Sequence, residues 1–326
     1  MSPLTTQLRT CIGTHLKEAR LDCLTAAESF ATPRRLTVWV AQLAERQADL
    51  EETLIGPPVR AAFDAGGQAT SAAAGFARKQ GVSVERLSRV ETPKGIYLAY
   101  QRRQRGAAAR KVLAVVLNAT LRDLSFKKQM NWDARLNDGR GDLLFGRPIR
   151  WLLFLYGGRA VPFVIDRTSK AIAQGVSPVR AGSITYGHRF FGKDGNPGRP
   201  IRVGSFAEYR KALKRHYVLL SREERRTRIE KKLDIHASRA GGTVGMAGGE
   251  SSLLDEVPDL VEYPSVVSGS FPKEFLALPE EVLKTTMIHH QHYFPVLDNL
   301  GRLTANFLAV TNTPHDNVPA ITHNSE

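Results

Sequence analysis

The chain has 326 residues, 42% of them hydrophobic and 24% charged, and its 46 Lys and Arg exceed its 32 Asp and Glu for a formal net charge of +14. That apolar content can build real cores in two domains of ordinary size, which excludes global disorder. A membrane span needs about 20 consecutive apolar residues, and the longest candidate, WLLFLY at Trp151 to Tyr156, is only strand-sized.

The stretch up to Leu21 carries polar residues at every turn, with no apolar core and no small-residue cleavage site, so it is not a secretory signal. A soluble, cytoplasmic protein without a membrane partner is expected. Cys11 and Cys23 are the only cysteines; their separation fits no zinc spacing and they form no disulfide framework. The positive excess draws polyanions through steering and counterion release. Charge alone leaves nucleic acid, an anionic membrane and an acidic protein open as partners.

In chain order, Leu4, Leu8, Cys11, Ile12, Leu16 and Leu21 keep helical spacing until Pro33 breaks the pattern. LTVWVAQL from Leu36 alternates as a strand. Gly56 to Pro58 reads as a proline-rich turn, and the FDAGGQ turn at Phe63 to Gln68 leads into a helix from Ser71 to Lys79 that Gly81 ends. Arg86 to Arg102 reads as two strands joined at Thr92 to Gly95, and a helix from Ala107 to Leu121 follows.

A second unit begins near Lys127. Its apolar runs on either side of Gly157 and Gly158 predict a hairpin, and GKDGNPGRP at Gly192 to Pro200 predicts a loop. Helices are expected over 205–215 and 221–239, the second opened by a capping box of Ser221 and Glu224 and closed by Gly241 and Gly242. A short helix broken at Pro258, the strand SVVSGSF, a helix from Glu280 to Ile288 and a hairpin through Asp298 to Gly301 complete the pattern. The fold class is α+β, mixed helices with mostly antiparallel hairpin sheets in at least two domains, here divided as 1–125 and 126–326.

Candidate chemistry is sparse. His289, His290 and His292 cluster at a helix end, but their spacing of i, i+1, i+3 lacks the one-face geometry of HExxH, so a solvated or hydrogen-bonded cluster is favoured over a metal-dependent hydrolase and no metal is expected. The glycine-rich pieces at Gly242 to Glu250 and Gly192 to Gly198 lack the lysine and hydroxyl ending of a phosphate-binding loop.

Basic clusters are better candidates. Arg102, Arg103 and Arg105, continued by Arg110 and Lys111, precede and enter a helix; Lys127 and Lys128 stand before Trp132; Arg147 and Arg150 lead into Trp151. Guanidinium groups pair with phosphate oxygens and aromatic faces stack on unpaired bases, which makes these seven residues, 102, 103, 105, 127, 128, 147 and 150, the candidates for RNA contact. Along the helix that follows Ser221, Arg222, Arg225, Arg226, Arg228, Lys231 and Lys232 are interspersed with Glu223, Glu224 and Glu230, which favours a solvated face with local ion pairs.

The run from Ser252 to Val310 contains LVEYP, FLALPEEVL, TTMIHHQHYFPV and NFLAV in close succession. ATPRRL at Ala31 to Leu36, GPP at Gly56 to Pro58, the stretch Ala62 to Val82, KGIYLAY, MNWD, FGRPIRW and GHRF at Gly187 to Phe190 precede it. In this order the words resemble the beta subunit of the bacterial heterotetrameric glycyl-tRNA synthetase over almost the whole chain. The resemblance implies a non-catalytic tRNA-binding and assembly subunit of glycine-tRNA ligase. It would work with an alpha subunit that holds the aminoacylation site, the pair forming glycyl-tRNA from glycine, ATP and glycine tRNA. No cofactor is implied in this chain, since ATP belongs to the alpha subunit, and nothing here resembles the arginine-bearing motif that grips ATP in class II synthetases. The alternative is a stand-alone RNA-binding module that keeps the family's architecture.

Two departures from the family pattern bear on extent. The chain enters at what would be the helix after the family's first strand and its GTEELP-like turn, and ITHNSE at Ile321 to Glu326 meets the family's GNE-like segment. The HD-like and anticodon-binding domains are therefore expected to lie outside these residues. Arg34, Arg35, His188, Arg189, His290, Gln291 and Tyr293 match the family's words without an assigned role. For Arg34, Arg35, His188 and Arg189 a structural reading, pairing with a carboxylate or a buried polar network against Phe190, is favoured over direct tRNA contact.

Overall fold

A computed structural model describes residues 2–192, 196–245 and 251–313. The elements run α1 (Ser2–Glu18), β1 (Glu28–Thr32), β2 (Arg35–Trp39), β3 (Leu50–Pro58), α2 (Val59–Ala62), α3 (Ser71–Gln80), β4 (Ser88–Thr92), β5 (Gly95–Gln104) and α4 (Ala109–Asp123). They continue with β6 (Met130–Arg135), β7 (Asp142–Phe145), β8 (Leu152–Leu153), β9 (Leu155–Tyr156), β10 (Arg159–Ala160), β11 (Val164–Arg167), α5 (Ser169–Ala173), β12 (Val179–Gly182), β13 (Ile184–Tyr186) and β14 (Pro200–Arg202). The last are α6 (Phe206–Arg215), α7 (Arg222–Arg239), β15 (Thr243–Val244), α8 (Ser251–Glu256), β16 (Ser265–Ser270), α9 (Glu280–Thr285), β17 (Tyr293–Leu297) and β18 (Leu303–Thr311). The mixture is α+β as expected, and every strand pair but β8 with β12 is antiparallel among the described residues.

The chain divides into two compact units, one of Met1–His15, Thr25–Ala41 and Ala114–Glu326, the other of Leu16–Leu24 and Gln42–Leu113. The smaller unit carries a three-stranded sheet in the order β3-β5-β4, with Ala62, Ala73 and Leu98 buried at its centre. The turn expected at Gly56 to Pro58 is instead the end of β3, bulged between Ile55 and Pro58. Two physical facts explain the difference. β3 is an edge strand, where proline costs no ladder hydrogen bond, and a Cβ at Gly56 would stand 2.6 Å from the Phe76 ring, so the glycine serves close packing rather than chain reversal.

In the larger unit the sheet β7-β6-β11-β12-β8 buries Leu121, Ala134, Leu143 and Ile165. Gly157 and Gly158, both left-handed at φ 55° and 76°, close the β9–β10 hairpin as their sequence predicts. A second sheet, β15-β17-β18-β16, packs on Ile229, Leu233 and Ala237 of α7 around Phe294, Val296 and Leu308. Ser221 caps α7 by accepting from the Glu224 amide, as expected. The helix predicted to reach Ile288 changes character at Thr286, where a π-helical turn over Thr286–His290 takes over from α9. Part of the Gly192 to Pro200 loop and of the Gly242 to Glu250 stretch, together with Ile321 to Glu326, lies outside the described residues.

One basic residue of α7 departs from the solvated face read from the sequence. Arg225 is fully buried and donates to four carbonyls, Pro258 at 2.8 Å, Leu219 at 2.8 Å, Leu220 at 3.0 Å and Ala31 at 2.9 Å. Its neighbours keep the expected role, Arg226 pairing with Glu230 at 3.0 Å and Asp255 at 2.5 Å, and Arg222 with Asp259 at 3.1 Å. Arg225 thus stitches α7 to the ends of β1 and to the segment before β16. Burial pulls its guanidinium down to about 10, with Asp259 and Glu262 opposing, so the group stays charged near neutrality.

Replacing Arg225 with Leu removes four buried hydrogen bonds and orphans their acceptors, an expected loss of about 3–5 kcal/mol. Arg226→Ala breaks only two solvent-screened pairs, with Glu230 and Asp255, and is expected to cost about 1 kcal/mol or less. Urea unfolding midpoints of the two variants measure the contrast.

Candidate nucleic-acid interface

The larger unit holds a buried polar network built from three of the sequence words that carried the family resemblance. ATPRRL supplies Thr32 and Arg35 at the β1–β2 turn, GHRF supplies His188 after β13, and LVEYP supplies Glu262 before β16. Glu262 is fully buried. Its Oε1 accepts from Thr32 Oγ1 at 2.6 Å and pairs with Arg35, whose other Nη donates to the Tyr186 carbonyl. Arg34 lies 3.8 Å from Glu262 Oε2. A carboxylate deprived of water is stable only with such partners, which is the reason a side chain 230 positions away in sequence is drawn to it.

His188 is also fully buried. The amides of Phe190 and Phe191 donate to its Nδ1 at 3.1 and 3.0 Å, so the proton sits on Nε2, which donates to Asn312 Oδ1 at 2.8 Å. The same Asn312 oxygen accepts from the Glu262 amide at 2.9 Å and the Tyr263 amide at 3.2 Å, which ties the histidine to the carboxylate segment. Burial pushes His188 below its ordinary pKa, and the hydrogen bond it donates to Asn312 and the charge of Glu262 oppose that only in part. The structural reading of Arg35 and His188 fits this geometry.

Beside the network opens a cleft of about 680 Å³ lined by Arg150, Arg167, Arg180 and Arg202, with no acidic residue in its wall among the described residues. The strands set these positions. On β12 the alternation that buries Val179 turns Arg180 outward, and on β14 Arg202 faces out beside buried Val203. Arg167 is braced by the carbonyls of Trp132 at 3.1 Å, Ile149 at 3.2 Å and Ser177 at 3.3 Å, and Arg202 by Ser183 Oγ at 3.2 Å. Trp151 and Tyr186 complete one wall, ring centroids 5.2 Å apart. Arg34 and Arg35 stand over the Trp151 ring at 5.5 and 5.6 Å, so the aromatic wall is anchored on the buried network. Arg34 is shifted down, first by burial and then, with Glu262 opposing, by Arg35, Arg189 and Arg150, the mark of cations gathered at this edge.

The basic residues singled out in the sequence lie in two places. Arg102 and Arg103 are exposed on β5 in the smaller unit, where β3 and the residue before it set carboxylates opposite them: Glu52 at 2.5 Å from Arg102, and Asp49 at 3.2 Å and Glu51 at 3.5 Å from Arg103. Arg105 is exposed at the end of that strand. Lys127, Lys128, Arg147 and Arg150 are exposed in the larger unit, and of these Arg150 lines the cleft. Arg189 is exposed with its guanidinium 5.4 Å from the Phe190 ring. His290 and Gln291 are exposed at the π-helical turn and Tyr293 stacks on Phe307 at 4.6 Å, away from the network's hydrogen bonds. Among the described residues no group of three His, Cys, Asp or Glu side chains is placed to hold a metal ion.

Sequence reasoning missed Arg167, Arg180, Arg202, Glu262 and Asn312. A signal existed for Glu262, an acid between the apolar Val261 and the aromatic Tyr263; for the three arginines, scattered over β11, β12 and β14 of two separate sheets, there was none, because only tertiary packing brings them together.

A family model described as glycyl-tRNA synthetase beta subunit matches residues 1–326. The chain belongs to that family. It is 39% identical over 319 residues to the glycine-tRNA ligase beta subunit of Trichlorobacter lovleyi, covering 98% of this chain and 43% of that protein. Against the beta subunit of Moorella thermoacetica identity is 39% over 326 residues, 100% of this chain and 43% of that protein, and against that of Myxococcus xanthus 36% over 314 residues, 96% and 41%. The chain therefore spans about two-fifths of the length of these relatives. Among the described residues no helix is long and apolar enough to cross a membrane.

Two tests bear on the network. Glu262→Ala leaves Arg35 charged and buried without its carboxylate, and a loss of about 3–5 kcal/mol is expected in chemical unfolding. For His188 the folded value lies below the unfolded one of about 6.5, so between them the unfolded chain binds the extra proton. Its contribution is complete above pH ~6.5 and is lost as pH falls from there through the folded value, at up to about 1.4 kcal/mol per pH unit. Thermal unfolding followed from pH 8 to 5 is expected to show this decline in the parent and a shallower one in His188→Gln.

Proposed function

We infer that this chain is the tRNA-binding and assembly part of a glycine-tRNA ligase beta subunit, acting in the cytoplasm with an alpha subunit. In this reading the alpha subunit binds ATP and performs aminoacylation, and the present chain holds glycine tRNA for it without catalysing a step itself. One observation carries the reading: a chain that matches the beta-subunit family from end to end concentrates part of its +14 charge in a concave, acid-free arginine cleft. Guanidinium groups that face each other without carboxylates repel, and that repulsion is relieved when phosphates enter.

The cleft is suited to binding and not to bond making. Its charged wall is arginine, which neither accepts nor releases a proton near neutrality, so none of those cations serves as a general acid or base. What these residues can do is fix a polyanion in position, a contribution to a ligation carried out by a neighbour.

The test is reconstitution. A glycine-tRNA ligase alpha subunit is assayed for charging of glycine tRNA with a complete beta subunit and with one carrying Glu262→Ala to unfold this segment. Charging that depends on the intact segment is expected; charging indifferent to it, or an isolated chain that binds no RNA, overturns the reading. Filter binding between 50 and 200 mM salt is expected to show affinity for tRNA falling linearly in log K against log salt concentration, since each neutralised phosphate releases counterions.

A further inference from the structure

We propose that the cleft walled by Arg150, Arg167, Arg180, Arg202, Trp151 and Tyr186 takes the phosphodiester backbone of an unpaired RNA strand and excludes duplex, an assignment that rests on the RNA-binding reading above. The wall supplies both components that single-strand binding requires. Four guanidiniums track a backbone, and an aromatic surface accepts the face of a base whatever its identity.

Stacking selects the strand. The cleft is open to solvent along its arginine-lined wall and presents Trp151 and Tyr186 beside the cations. A duplex keeps its base faces stacked inside the cylinder and cannot offer one to this aromatic surface. A lone strand can, and its bases are free to turn toward Trp151.

The cations are also prepared for this. Arg167 and Arg202 are held by carbonyl and hydroxyl oxygens that leave their charge uncompensated. Arg150 and Arg180 are exposed and have no carboxylate partner among the described residues. The β5 surface offers the contrast: Arg102 and Arg103 already spend their charge on Glu52, Asp49 and Glu51, so a phosphate there must displace existing partners. Trp151 is immobilised by Tyr186 and by the two arginines of the buried network, which reduces the ordering cost of stacking.

The experiment uses the full chain and fluorescence anisotropy with a labelled mixed-sequence RNA octamer, the same octamer annealed to its complement, and glycine tRNA. ATP and inorganic phosphate serve as competitors. The single strand is expected to bind at least about tenfold tighter than the duplex. Arg150→Gln with Arg180→Gln, both exposed and so without a folding role, is expected to weaken octamer binding at least about tenfold and to flatten the salt slope by about 1.4, at about 0.7 per phosphate lost on a single strand. Arg102→Gln with Arg103→Gln is expected to leave both unchanged.

Equal or tighter duplex binding overturns the proposal. So does displacement of the octamer by ATP or phosphate at micromolar concentration, which would make the cleft a small-anion site. If glycine tRNA binds the parent and the cleft variant alike, the strand assignment falls while the tRNA reading stands. If the octamer binds through the cleft but charging by the alpha subunit ignores this chain, the tRNA reading falls and the strand assignment stands.

Discussion

The carboxylate of Glu262, taken wholly out of water, is the constraint around which the larger unit is arranged. An ion in that position is tolerated only with opposite charge and hydrogen bonds close by. Arg35 and Thr32 supply them from the β1–β2 turn, and the backbone amide of the same residue is fixed by Asn312 beyond β18. Three stretches remote in sequence are thereby held at one point. Because Arg35 also grips the Tyr186 carbonyl and stands over Trp151, the pair braces the aromatic wall of the cleft as well as the join between β1–β2 and the segment before β16.

Arginine has three distinct uses in this molecule, and net charge does not distinguish them. Arg225 and Arg35 are buried and work as multiple donors to carbonyls and a carboxylate. Arg102, Arg103, Arg222 and Arg226 meet acids at the surface, where the pairs contribute little to stability and cancel locally. Arg150, Arg167, Arg180 and Arg202 line a concavity with no acid among the described residues of its wall, and there the excess becomes a field able to attract a polyanion. Where positive charge is left uncompensated is therefore more informative about function than how much there is.

Membership of the beta-subunit family gains a physical content from this arrangement. ATPRRL, GHRF and LVEYP meet in the buried network, while FGRPIRW ends on Arg150 and Trp151 at the cleft. The same words thus encode a rigid support and one edge of the surface it supports. A binding surface built on immobilised side chains loses less entropy when it is occupied.

From the sequence alone, the α+β class, the capped start of α7, the glycine hairpin at Gly157 and Gly158 and the strand pair closed at Thr92 to Gly95 were legible, because each depends on residues within a few positions of one another. The family was legible for the same reason, being carried by contiguous words. Tertiary structure decided the rest. It buried Arg225 among charges that read as a solvated face, continued β3 through Gly56 to Pro58 at a sheet edge, and set carboxylates against Arg102 and Arg103. It also gathered Arg167, Arg180 and Arg202 from three strands beside Arg150. Burial, sheet position and the partner of a charge are relations between distant segments, and no local pattern of residues records them.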